Sequence, residues 1–386
     1  MIRRTLSRED NVYKAFPDLA RCDDGSLVCI YRESLRHSAK PFGRIACHIS
    51  RDGGRNWSVK RIIHDHPDHT VQDRLNNPRI LHLGGLDLYM ICDLIPGDEP
   101  EHIPDSHIVS WRSHDGGETW DGPEDTGITG HICPCLFRKR DGTIIIGTDD
   151  VGDSSQPDDA WYVNAFFSTN GGQSFDKAVL VAHDPDRWLN ECSFVELDDG
   201  TLVCYIREDR ERLRAFKTIS TDGGQNWSSP TPTYMTCCVG RPKAGILASG
   251  EVVIFYGFQG NSPPRNLVMH VESQAIAADP DCVANLSSRH TDGHRYFFVD
   301  HDRSPHPDGA YSSWVQLPSG EIFAVQYIND DAPMAHIRSY QIAREDWVLS
   351  PEGSVINDSP SPEGFHPRVL ERTTHAFQSA RASRRA

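Results

Sequence analysis

Three residues of different chemistry share one place in a repeating pattern. Glu191, Arg241 and Tyr311 each stand nine residues before a glycine (Gly200, Gly250 and Gly320), and each glycine closes an Asp-Gly or Ser-Gly pair between two apolar runs. A carboxylate takes up protons. A guanidinium grips a carboxylate through charge-assisted hydrogen bonds worth about 1.5–3 kcal/mol each. A phenol, with a solution pKa near 10, attacks carbon only when a neighbouring base removes its proton. Equal offsets on equivalent elements would bring the three together.

The elements that must do the positioning are hairpins. The run–turn–run pattern reads "DLARCDDGSLVCIYRE" from residue 18, "CLFRKRDGTIIIGTDD" from 135 and "SFVELDDGTLVCYIRED" from 193. It recurs as "KAGILASGEVVIFYGF" from 243 and "SWVQLPSGEIFAVQYI" from 313, with a weaker copy, "RILHLGGLDLYMICD", from 79. Each copy predicts two strands joined by a tight turn, with glycine supplying the left-handed backbone angle. No convincing 3.6-residue apolar stripe competes with this reading.

A second motif interleaves with the first. "SRDGGRNW", "SHDGGETW", "STNGGQSF" and "STDGGQNW" begin at Ser50, Ser113, Ser168 and Ser220, about 63, 55 and 52 residues apart. That spacing is the period of a propeller blade. The Ser and Asp side chains can bond backbone N–H groups and close a turn. Four copies in one chain argue for a structural role. The two repeats together predict an all-β, six-bladed β-propeller with four-stranded antiparallel blades near 11–66, 71–127, 130–185, 188–234, 236–300 and 308–350. The first strand of each blade lines the central channel.

The Ser-x-Asp-Gly-Gly-x-x-Trp motif resembles the Asp-box (BNR repeat) of the sialidase superfamily, over roughly residues 11 to 350. The resemblance implies an exo-glycosidase that removes a terminal acidic sugar. On this likeness "NECSFVELDDGTLVCYIRED" places the family's glutamate at Glu191 and a carboxylate-binding arginine at Arg207. "VGRPKAGILASGEVVIFYG" places a further arginine at Arg241, and "AYSSWVQLPSGEIFAVQY" the nucleophile at Tyr311. Glu191 would deprotonate Tyr311, which suits attack at a carbon already bearing a carboxylate. Arg79, in "NNPRI", is a further anion-ligand candidate by positional analogy.

Two departures stand out. Where the family carries an arginine in the first blade, this chain reads "YKAFP" with Lys14, which keeps the charge but loses the planar fork. The family's Asp acid/base is missing from "YRESLRHSAKPFGRI": Pro41 stands at that place, with His37 and Glu33 the nearest titratable groups. His37 is the substitute candidate for the acid/base. His37, His107 and His131 also leave open a lyase acting at a uronic acid, in which a base removes the proton beside an arginine-neutralised carboxylate. His131 would then bind substrate. A non-catalytic glycan-binding propeller is the third reading. Asp330, Asp331, His336 and Arg338, in "NDDAPMAHIRSY", are further candidates for the pocket lining.

Composition narrows the partners. A formal net charge of −16 argues against nucleic acid, whose phosphates need a basic surface. No run of 18 apolar residues predicts a membrane span, and the basic start "MIRRTLSRED" lacks the apolar core of a signal peptide, so a cytoplasmic location is expected. Eleven cysteines, several inside strand-like runs and none in a Cys-x-x-Cys pair, read as reduced thiols. Neither a metal nor a cofactor is expected, and the partner is a carboxylated carbohydrate. Residues 1–371 are expected to form a single domain, and the basic tail 372–386 to be disordered.

Overall fold

Every expected hairpin forms and is extended outward by further antiparallel strands. The computed structural model describes residues 1–37, 43–65, 74–95, 106–129, 131–151, 161–259, 265–283 and 294–347. Pro41 and the tail 372–386 lie outside them. In the first blade Tyr13–Arg21, Leu27–Ser34, Arg44–Ser50 and Arg61–His64 pair in that order. The third blade runs His131–Arg138, Ile144–Val151, Trp161–Ser168 and Val179–His183, and the fourth Leu189–Glu196, Leu202–Glu208, Arg214–Ser220 and Thr231–Thr236. The fifth comprises Lys243–Ile246, Val252–Phe258, Asn266–Glu272 and His294–His301. Second strands such as "LVCIYRES" are buried along their whole length, because both faces of a blade press on neighbouring blades.

Two blades depart from the simple pattern. The second has its inner strand in two pieces, Arg74–Leu75 and Arg79–Gly84, both paired with Asp87–Ile95 and followed outward by His107–Ser113 and Asp121–Thr129. The intervening loop is pinned by buried Asp93, which accepts from the Asn76 side chain at 3.0 Å and the Asn77 N–H at 2.6 Å. The sixth contributes only three consecutive strands, Gly309–Gln316, Ile322–Ile328 and His336–Ile342. Its outer strand is Ile2–Ser7, in register Ile2↔Gln341 and Thr5↔Arg338. The expected first and sixth blades, 11–66 and 308–350, missed this closure. A six-residue, mostly exposed strand carries no local sign of a partner at the other end of the chain. The propeller forms one compact unit, Met1–Arg344. Of the second unit, Glu345–Ala386, only residues 345–347 are described.

The Ser-x-Asp turns join third to fourth strands at the same end as the Asp-Gly hairpin turns, since Leu27 pairs with both Arg21 and Ser50. In the first, Ser50 Oγ donates to Asp52 at 2.9 Å and accepts from Gly54 N–H at 2.9 Å, while Asp52 accepts from Asn56 N–H at 2.8 Å. The copy at Ser220, Asp222 and Gly224 repeats these bonds. The second glycine of each turn also meets the preceding blade. A Cβ on Gly224 would lie 2.7 Å from the Phe167 ring, one on Gly117 3.1 Å from Val28, and one on Gly54 against Phe323 of the sixth blade. These turns are fasteners between blades.

Candidate active site

The end of the channel opposite these turns is shaped by irregularities at equivalent places on inner strands. Register shifts fall between Ala15 and Asp18, between Asn190 and Cys192, and between Gly309 and Ser312. At each one a non-glycine residue takes a left-handed backbone: Phe16 at φ 56°, Glu191 at 41° and Ala310, just before Tyr311, at 73°. A bulge re-aims the side chains around it, and such strained backbone clusters at functional sites. Here the bulges turn Glu191 and Tyr311 toward each other.

The Tyr311 hydroxyl donates to Glu191 Oε1 in a short hydrogen bond. Arg207, from the second strand of the Glu191 blade, bridges the pair with Nη1 2.8 Å from Glu191 Oε2 and 3.1 Å from the Tyr311 hydroxyl. Its Nη2 holds Asp209 at 2.9 Å. Burial alone would lower the Arg207 pKa, but Glu191, Tyr311 and Asp209 raise it well above the usual value, so its charge is fixed. Nearby Asp149 has both carboxyl oxygens buried without a hydrogen-bond partner. Its pKa is driven well up by burial first and by the Glu191 charge second. Glu191 therefore sits between a fixed cation and a carboxyl that resists ionising.

Beside the pair opens a cavity of about 640 Å³, lined among others by His37, Arg207, Arg265, Asp308, Tyr311 and Tyr327. The hub of its second wall is Asp308. It accepts from the Tyr13 hydroxyl in a short hydrogen bond, from Tyr327 at 3.2 Å, and lies 2.9 Å from His37 Nδ1 and 3.6 Å from Arg265. Burial opposes ionisation of Asp308, yet the His37 hydrogen bond and charge, the Tyr13 bond and Arg265 together pull its pKa down to about 2. Its permanent anion drives the Tyr13 and Tyr327 phenols, already disfavoured from ionising by burial, well above their ordinary range. The result is an aspartate–imidazole pair at the rim, with the His37 side chain 53% exposed.

The other sequence candidates sit as follows. Lys14 lies away from the cavity, because its fully buried ammonium is bonded to Glu33 at 2.7 Å, Glu9 at 2.8 Å and Ser7 at 3.0 Å. The carry-over from the family matched a chain position, but the side chain points to the outer face of its strand. Glu33 is spent in the same network, with Lys60 and Arg44. Arg79 is buried in the channel, donating to the Pro78 carbonyl at 2.6 Å, and lines no part of the cavity. Arg241 is also buried, and the preceding Gly240 runs against the Tyr311 ring, where a Cβ would stand 3.1 Å from Cδ1. His131 opens the inner strand of blade three, opposite Asp149, and its side chain lies outside the described residues. His107 is on a third strand, paired with Leu94, away from the cavity. Asp330 is bound by Arg303 and Arg338, so these residues brace the sixth blade and leave Asn329 to face the cavity. Asp308, Asp209 and Arg265 were not anticipated: Asp308 and Arg265 fall in no repeated motif, and Asp209 is only the last residue of the fourth-blade copy. Among the described residues no cluster of His, Cys, Asp or Glu could hold a metal, and no helix is long and apolar enough to cross a membrane.

Residues 25–323 match the family model described as a BNR repeat-like domain. The chain belongs to that family. No curated protein matches it. Among solved structures, a protein of unknown function from Dyadobacter fermentans superposes with a TM-score of 0.70 at 17% identity, covering 88% of this chain and 99% of that one. NanB sialidase from Streptococcus pneumoniae gives 0.66 at 12% identity over 90% and 71% of the two chains. The intramolecular trans-sialidase from Ruminococcus gnavus, in complex with oseltamivir carboxylate, gives 0.62 at 12% over 88% and 96%. At such identities the likeness is one of fold. This BNR-repeat chain is a sialidase-like six-bladed propeller.

Proposed function

We propose that the protein is an exo-acting glycosidase that removes a terminal carboxylated sugar. The observation that carries this reading is the Tyr311–Glu191 hydrogen bond, bridged by Arg207 and opening onto the cavity. A neutral phenol can approach an anomeric carbon that bears a carboxylate, where an anionic nucleophile would be repelled. As Tyr311 attacks, its proton passes to Glu191. The leaving oxygen takes a proton from His37, so a glycosyl–Tyr311 bond forms as the glycosidic bond breaks. Neutral His37 then accepts a proton from water attacking the same carbon, and Glu191 returns its proton to the departing Tyr311 oxygen. Asp308, 2.9 Å from His37 Nδ1, holds the imidazole in place, the role a buried carboxylate commonly plays for a catalytic histidine. Arg207 and Arg265 face the cavity and supply positive charge for the substrate carboxylate.

The His37–Asp308 pair beside Tyr13 also fits proton abstraction from a uronic acid. Incubation with a panel of acidic oligosaccharides, following free sugar and ultraviolet absorbance together, distinguishes the chemistries. Sugar release without new absorbance is expected. The absorbance of an unsaturated uronate would establish a lyase, and neither signal would leave a binding protein.

A further inference from the structure

Two indoles stack at the cavity end of the propeller, between the third and fourth blades. Trp161 opens the third strand of its blade and is paired with Val151, and Trp188 immediately precedes the inner strand Leu189–Glu196. Their ring centroids are 6.0 Å apart and their planes 14° from parallel. Trp188 is 38% exposed although it is the largest of side chains. Its carbonyl accepts from Asp209 N–H at 3.0 Å, and Asp209 in turn holds Arg207, which touches Tyr311. Trp188 is three residues from Glu191, so extended backbone sets their Cα atoms about 10 Å apart. That is the reach of the next sugar along a glycan whose terminal residue occupies the cavity.

We infer that Trp188, backed by Trp161, is the platform for a neutral pyranose on the leaving-group side of the scissile bond. A pyranose presents C–H groups on its ring faces and hydroxyls at its edge. An indole held rigid by a stacked partner offers the matching apolar plane at little entropic cost. Water leaves that plane poorly satisfied, and polar groups that can bond sugar hydroxyls are close in the chain or bonded to it: Arg187, next to Trp188 and paired with Glu211, and Asp209, whose N–H holds the Trp188 carbonyl. This subsite rests on the glycosidase reading for its place in a reaction, while binding of the neutral sugar can be measured apart from it.

The test compares wild type, Trp188→Ala, Trp188→Phe and Trp161→Ala on two substrates of one acidic sugar: an oligosaccharide with neutral sugars behind the scissile bond, and an aryl glycoside without them. Trp188→Ala should lower kcat/KM for the oligosaccharide roughly three- to tenfold more than for the aryl glycoside, the range of a single aromatic contact. Trp188→Phe should restore most of the difference, and Trp161→Ala should reproduce part of it. Equal losses on both substrates, or none, would overturn the subsite. If no acidic glycoside is turned over, the glycosidase reading fails, and titration of intrinsic fluorescence with the neutral oligosaccharide alone still decides. Saturable quenching that Trp188→Ala abolishes supports the platform; no response in wild type refutes it.

Discussion

Replacing Glu191 with glutamine separates chemistry from architecture. Gln keeps the shape; its amide oxygen can accept from Arg207 while its NH2 donates to the Tyr311 oxygen, so the bulge at Glu191 need not rearrange. The ion pair with Arg207 becomes an ion–dipole bond and the Tyr311 bond loses its anionic acceptor, in a site where Glu191 is 4% exposed. Hydrogen bonds to charged groups contribute about 1.5–3 kcal/mol, against about 1 kcal/mol for neutral ones, so the loss of stability should be about 1–3 kcal/mol. Arg207 keeps Asp209 as a partner, which prevents the larger penalty of an uncompensated buried cation. The rate should suffer more. A positioned general base contributes about 10²- to 10⁴-fold, or roughly 3–5 kcal/mol of barrier, and an amide cannot take the phenol proton. Turnover of an aryl glycoside of a carboxylated sugar, read beside thermal unfolding, checks both numbers. A folded Glu191→Gln variant that keeps its rate within about threefold would refute the base assignment, because no general-base role is that small.

Three other expectations follow from the same geometry. Asp308→Asn should lower kcat at least tenfold, since the His37 imidazole loses the charged acceptor that orients it. It should also change acid stability. With its pKa depressed from 3.8 to about 2, Asp308 contributes stability that is complete above the unfolded value and is lost as pH falls toward 2. The variant's thermal midpoint should therefore fall less steeply than that of wild type between these values. Gly54→Ala should destabilise by about 1–3 kcal/mol, because its Cβ would meet Phe323 and φ is +83°, with kcat unchanged in the folded fraction.

The blade count was legible because a period of about 55 residues and a glycine turn in every hairpin leave little freedom. The shared offset of Glu191 and Tyr311 was legible for the same reason, and the structure brings these two into contact. What the repeats could not carry is whatever departs from them. Ile2–Ser7 closes the ring by a pairing that no local pattern encodes. Lys14 stands at a family position, yet its neighbours Glu9 and Glu33 draw its side chain out of the channel. Asp308 precedes the sixth inner strand in "SPHPDG", an ordinary loop by composition, and only the folded chain sets it beside His37 and Tyr13. A repeat encodes spacing along a strand, and most of this cavity's lining lies between strands.

The central claim is that Tyr311 forms a bond to the sugar. Rapid acid quench of the protein during turnover of an activated aryl glycoside of a carboxylated sugar, followed by peptide mass spectrometry, tests it directly. The peptide containing Tyr311 should gain the mass of one sugar residue, and Tyr311→Phe should abolish both adduct and turnover. Sustained hydrolysis with Tyr311 unmodified, or full activity in Tyr311→Phe, would contradict the account.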